Sequence, residues 1–275
     1  MTQSTAIQPK GEIRIDPWQP AAEVAQALGW SLVLFSYPGA GKTTFCATPK
    51  SLILDFEGGS EVLADRRDVM VWPRRDPRTG KVPKISWRDF EQVNTQLKSR
   101  LAQGTLPFEV ICFDTLSAMQ RLTLEQVMAS TGTNPSQPEW GKSNELLLQV
   151  VRDWCALSRE TGINVVFNCH AQEVIDDSTK SVLIRMALTP GVISGINQAV
   201  SAIGYLSASK PDARTKEVQR ALLLHQTTKV LAKFRQPRTG PQLPSEIPNP
   251  SLAQILEHRK KALTALNQDS DQRGN

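Results

Sequence analysis

The stretch SLVLFSYPGAGKTTF, residues Ser31 to Phe45, limits what this chain can fold into more than any other. A short apolar run meets a Pro-Gly-Ala-Gly turn, then a lysine and two threonines. Glycines at 39 and 41 let the backbone turn sharply and leave no Cβ in the way of a close ligand. Successive N–H groups from Gly39 to Thr44 then point into one concavity at the start of a helix, an arrangement that cradles a phosphate. The spacing follows the pattern G-x-x-x-x-G-K-[ST] except at its first position, where Ser36 replaces glycine. Ser36 stands where the chain only begins the loop, so a small side chain fits there. Pro38, Gly39, Ala40, Gly41, Lys42, Thr43 and Thr44 are therefore the expected nucleotide-binding residues. Lys42 would reach the β- and γ-phosphates, and the Thr43 hydroxyl would ligate magnesium.

A loop of this kind needs a sheet behind it, and the chain supplies one. Apolar runs at 31–36, 51–56, 68–72, 108–114 and 163–168 suit strands buried on both faces. Helical periodicity at 86–104 and 143–162, each closed by a glycine, separates several of them. Strand–helix alternation predicts an α/β fold with a mostly parallel twisted sheet and helices on both faces. After residue 180 the runs SVLIRMAL, AVSAIGYLSAS, VQRALLLHQ and TKVLAKF follow closely, with little room for crossover helices. They predict antiparallel strands added toward the C-terminus. Residues 1–19 read as a polar arm, 20–256 as one ATPase-sized domain, and 257–275 as the end of a short helix and a frayed tail.

Four further places carry chemistry. Asp114 ends the run FEVICFD, where a carboxylate can hold magnesium through water. Glu57, in LILDFEGG, stands at the tip of the strand after the loop, where it could orient and deprotonate an attacking water, with Asp55 the second choice. DFEG also fits the D-x-x-G of GTPases, but it follows Lys42 too closely and no N-K-x-D motif occurs anywhere. VVFNCHAQE ends in Asn168, His170 and Gln172, and His170 is placed to contact a γ-phosphate. TKVLAKFRQPR carries Lys229, Lys233, Arg235 and Arg238, with Lys233 and Arg235 alternating on one strand face, a pattern that a solvated basic edge also gives.

The bulk properties narrow the setting. The net charge of +5 and pI near 9.1 permit a polyanionic partner without requiring one. Four cysteines without C-x-x-C spacing predict a reduced, cytoplasmic setting, and no apolar run is long enough for a membrane span.

Taken in order, these elements resemble the RecA family of recombinases, and within it the phage AAA-domain ATPases of the Sak-type single-strand annealing group. The likeness runs from about Ser31 to Arg235. It implies a RecA-like P-loop core, ATP and Mg2+ as ligands, Glu57 as general base, Asp114 as the magnesium-associated acid and His170 as γ-phosphate sensor in place of glutamine. It also implies that Lys233 and Arg235 reach a neighbouring subunit's nucleotide, making the protein a homo-oligomer, ring or filament. Residues 130–142 and 171–195 would be two loops that bind single-stranded DNA in recombination or annealing. A single-strand-binding or replication protein would be a further partner, and the setting would be the bacterial host of a phage. One alternative stays open: a nucleotide-gated adaptor or loader for a replication or packaging partner, without direct DNA binding. A small-molecule kinase would need an Arg-rich lid, for which the sequence offers no clear candidate.

Overall fold

The computed structural model describes residues 29–273 apart from 77, 132–133, 177–179 and 236–241; the arm at 1–19 and Arg238 lie outside them. The chain runs through β1 (Ser31–Ser36), α1 (Lys42–Cys46), β2 (Ser51–Asp55), a 3-10 turn (Gly59–Leu63), β3 (Met70–Trp72), α2 (Trp87–Ala102) and β4 (Val110–Asp114). It continues through α3 (Leu116–Thr131), α4 (Gln137–Thr161), β5 (Asn164–Ile175), β6 (Val182–Met186), α5 (Pro190–Ala199) and β7 (Ala202–Ala208). Finally come β8 (Arg220–Leu223), β9 (Lys233–Phe234), β10 (Glu246–Pro248) and α6 (Leu252–Arg273).

The ten strands join in one sheet, in the order β10-β8-β7-β1-β5-β4-β2-β3, with β6 beside β5 and β9 beside β7. From β7 to β3 every pairing is parallel, whereas β6, β8, β9 and β10 join antiparallel. This is the α/β fold, mostly parallel with antiparallel additions, that the sequence predicts for a RecA-like P-loop core. Alternate residues of one strand face opposite sides. Val33 and Phe35 accordingly pack under α2, α3, α4 and α5, and Leu32 and Leu34 pack under α1, the 3-10 turn and α6. With both faces covered, the central strands are mostly apolar, and β1 is buried along its whole length.

Several boundaries differ from the sequence prediction. AVSAIGYLSAS forms β7, which runs parallel to β1, because α5 supplies a crossover in the part of the chain expected to hold only antiparallel strands. Helix α4 starts at Gln137, six positions before the predicted 143, since Ser136 and Glu139 form a capping box with Pro138 in the first turn. Helix α6 continues to Arg273 through the segment read as a frayed tail; Ala, Leu and Gln in LTALNQDSDQR favour helix. All four cysteines are buried and free. No helix among the described residues is long and apolar enough to cross a membrane.

Candidate nucleotide site

Strand register assembles the site. Asn168 pairs with Asp114 and Asp114 with Asp55, and two residues further along β5 His170 pairs with Ser36, so polar residues of β5 meet the C-terminal ends of β1, β4 and β2. Ligands of parallel α/β sheets bind outside such strand ends. One strand, β5, separates the loop-bearing β1 from β4, which places Asp114 two strands from the loop.

Between β1 and α1 the loop takes the shape that its glycines predict. Gly39 and Gly41 adopt φ of 78° and 99°, in the left-handed region that favours glycine. Lys42 is only 6% exposed. Its Nζ donates to the Ser36 Oγ at 3.1 Å and to the Ser36 carbonyl at 3.3 Å. The residue in place of glycine is thus a buried partner of the lysine, with its own hydroxyl donating to the Tyr37 carbonyl at 3.0 Å. Burial pushes the Lys42 ammonium below its usual value, against the opposing pull of Asp114.

Thr43 and Asp114 meet directly: the Thr43 hydroxyl donates to Asp114 Oδ2 at 2.6 Å, and Asn168 Nδ2 donates to Oδ1 at 3.0 Å. Burial raises Asp114 above the usual carboxylate range, although both donors pull it down. A hydroxyl and a carboxylate converging beside a phosphate-shaped concavity fit magnesium, which keeps several waters and uses few protein oxygens. Among the described residues no group of three His, Cys, Asp or Glu side chains could hold a metal by itself.

Glu57 follows β2 by two residues, and Gly58, at φ 82°, turns the chain away behind it. The Glu57 carboxylate accepts from the Thr115 hydroxyl at 2.9 Å, lies 2.8 Å from His170 Nε2 and stands 3.6 Å from Arg121. Burial alone would raise its pKa; the His170 contact, Thr115 and Arg121 outweigh it and hold Glu57 below the ordinary carboxylate value. Asp55, the second choice for the base, is otherwise engaged. Its Oδ1 accepts N–H bonds from Glu57, Gly58 and Gly59, at 3.0, 2.7 and 3.3 Å, and its Oδ2 accepts one from Ser60 at 2.9 Å. That carboxylate fixes the turn carrying Glu57.

The predicted constellation therefore comes together for Lys42, Thr43, Glu57, Asp114 and His170. It does not for Lys233 and Arg235. Strand β9 pairs with the beginning of β7, with Lys233 beside Ile203 and Phe234 beside Ala202, the residue level with Leu32 near the start of β1. Both cations thus lie toward the opposite end of the strands from the phosphate loop. The Lys233 amine donates to the Asn197 carbonyl, and burial, then Arg235, lower its pKa. The two segments expected to be DNA loops also differ in form. The described residues of 171–195 belong to the end of β5, to β6 and to the first turns of α5, with 177–179 outside the description, while 130–142 lead from α3 into α4 across residues 132 and 133, also outside it.

Two contacts were not legible in the motifs. The Tyr37 hydroxyl donates to Glu173 Oε1 at 2.9 Å, tying the loop to the hairpin; burial and this carboxylate push the phenol up to about 12. Arg220, the first residue of β8, donates from Nε to the Ala40 carbonyl at 2.9 Å.

A family model described as AAA domain matches residues 28–236. Among solved structures, a KaiC-like protein of the hyperthermophilic archaeon Pyrococcus horikoshii OT3 is similar at 10% identity and a TM-score of 0.39, over 73% of this chain and 80% of that one. No curated protein matches.

Proposed function

The chain belongs to the AAA domain family, and from that premise we propose that it hydrolyses ATP with magnesium and couples hydrolysis to single-stranded DNA as an oligomer in recombination or annealing. The observation that carries the ATPase assignment is the convergence of Thr43, Asp114 and a strand-tip Glu57 around one loop, with Lys42 buried at its floor. Bound magnesium would supply charge neutralisation for the phosphates, held by Thr43 and Asp114. The Glu57 carboxylate orients the water and takes its proton. His170, in contact with that carboxylate, relates the phosphate end of the site to the hairpin that follows it in β5. In the oligomer, Lys233 and Arg235 reach the next subunit's nucleotide. DNA as partner rests on the family resemblance, with which the net charge of +5 is compatible.

The base assignment has a pH signature. Burial favours the neutral Glu57 acid, and the His170 contact favours the carboxylate, so removing His170 lets burial act with less opposition. The acid limb of kcat/KM, which reports groups of the free enzyme, then moves to higher pH in His170→Ala. His170→Gln, which keeps a hydrogen-bond donor, moves it less. An acid limb at the same pH in all three proteins would remove Glu57 from the role.

DNA coupling is tested by ATP turnover with and without single-stranded oligonucleotide. Stimulation that grows as salt is lowered is expected, because phosphate contacts release counterions. No stimulation, together with no band shift at low salt, rejects DNA as the partner. One observation favours the adaptor alternative. The cross-strand pair Ile175 and Val182 near the end of the β5–β6 hairpin is 63% and 42% exposed, an apolar contact better suited to protein than to phosphate. Loss of partner capture in an Ile175→Ser, Val182→Ser variant, with DNA stimulation absent from the parent, would establish that alternative.

A further inference from the structure

Arg220 sits where no motif places it. The register Ala208 with Arg220 puts the start of β8 level with the C-terminal end of β7, at the same edge of the sheet as the phosphate loop. Its backbone is fixed on both sides: its N–H donates to Asn249 Oδ1 at 3.2 Å, and its carbonyl accepts from the Asn249 N–H at 2.7 Å. The side chain lies against the loop itself. A Cβ built on Gly41 would come within 2.8 Å of Arg220 Nε and 3.5 Å of its Cδ and Cζ. Gly41 therefore meets two demands at once, a left-handed φ and room for a guanidinium.

Nε is committed to the Ala40 carbonyl, and among the described residues neither terminal nitrogen has a hydrogen-bond or ion-pair partner. A guanidinium pinned by one N–H, with the rest of its fork free and no carboxylate to neutralise it, is a preorganised anion receptor. The place selects the anion. Counting from β1, Glu57 and Asp114 lie on the β5 side, whereas Arg220 comes from the β7–β8 side. A nucleotide with its γ-phosphate beside Glu57 and Asp114 would then turn the other end of its phosphate chain toward Arg220.

We propose that Arg220 binds the nucleotide at the end of its phosphate chain away from the bond that is broken, holding ATP and ADP alike from its place against Ala40 and Gly41. This rests on the assignment of residues 38–44 as a nucleotide site, and deepens it. A contact shared by substrate and product contributes uniform binding, which appears in KM rather than in the chemical step.

Titration calorimetry with MgATP and with MgADP tests this. Arg220→Ala is expected to weaken both nucleotides by a similar factor, about ten- to a hundredfold for a charge-assisted contact. The KM for ATP rises with it, and kcat changes less. Arg220→Lys, which keeps the charge but not the fork, recovers part of the loss. Arg220→Gln, which can still donate to the Ala40 carbonyl, does not. Wild-type affinity in Arg220→Gln would mean that the residue only props the loop, and would overturn the proposal. Selective weakening of ATP with ADP untouched would overturn it too, by moving the contact to the γ-phosphate. Wild-type protein that binds neither nucleotide would reject the nucleotide site itself, and Arg220 with it; wild-type binding that Arg220→Ala leaves intact would reject Arg220 alone.

Discussion

Lys42→Ala is expected to abolish ATP turnover, lowering kcat/KM by at least about a thousandfold, or roughly 4 kcal/mol of transition-state stabilisation. The amine stands at the floor of the loop, within hydrogen-bond reach of Ser36 and 6% exposed, where its charge is screened little by solvent. Among the described residues neither Arg220, whose Nε is held by the Ala40 carbonyl, nor Lys233, toward the far end of the strands, takes its place. Stability is expected to respond differently. Burial lowers the Lys42 pKa, which means that the folded protein holds the charged amine at a cost. Its folded value being the lower one, the neutral form is the one folding favours, and alanine removes the charge altogether. A melting temperature at or above that of the parent, with turnover gone, is the outcome to look for in parallel thermal and ATPase measurements. Retained turnover would overturn the assignment of the loop.

Glu57→Gln is expected to separate binding from hydrolysis. The amide keeps the size of the side chain and can still meet Thr115 and His170, but it cannot take a proton. Nucleotide affinity should stay near that of the parent while kcat falls by about a hundredfold to ten thousandfold, the usual contribution of a positioned base. Asp55 offers no bypass, because four backbone N–H groups occupy its two oxygens. Single-turnover hydrolysis of bound ATP gives the cleanest reading, since product release does not enter it. Parent-like hydrolysis would place the base outside the β2 strand tip.

What could be read from the chain beforehand depended on how local each feature is. The loop at 36–44 is contiguous, so its glycines, lysine and threonine declare both shape and chemistry. Asp114 and Glu57 were legible because a carboxylate ending a buried apolar run is a local pattern too, and the parallel sheet then brings such ends to one edge. The early start of α4 lies in Ser136 and Glu139, a capping signal in a segment whose Gly, Asn and Pro also suit a loop. Other features lie in no local pattern. Arg220 reaches the loop only through the pairing of β8 with β7, and Tyr37 meets Glu173 only because β5 runs past His170 into a hairpin. Strand direction was equally hidden: AVSAIGYLSAS has the same apolar texture whether parallel or antiparallel, and the ten residues of α5 decide it.

The four amides gathered by Asp55 have a kinetic meaning. They turn the corner after β2 into a bracket whose backbone has little freedom, so the carrier of Glu57 behaves as an extension of the sheet. The degrees of freedom left at that position are the torsions of one side chain. Rotations of that kind take picoseconds to nanoseconds, against the milliseconds or longer of an ordinary catalytic cycle. The orientation of this carboxylate is therefore set by its hydrogen-bond partners Thr115 and His170 and by the charge of Arg121 3.6 Å away.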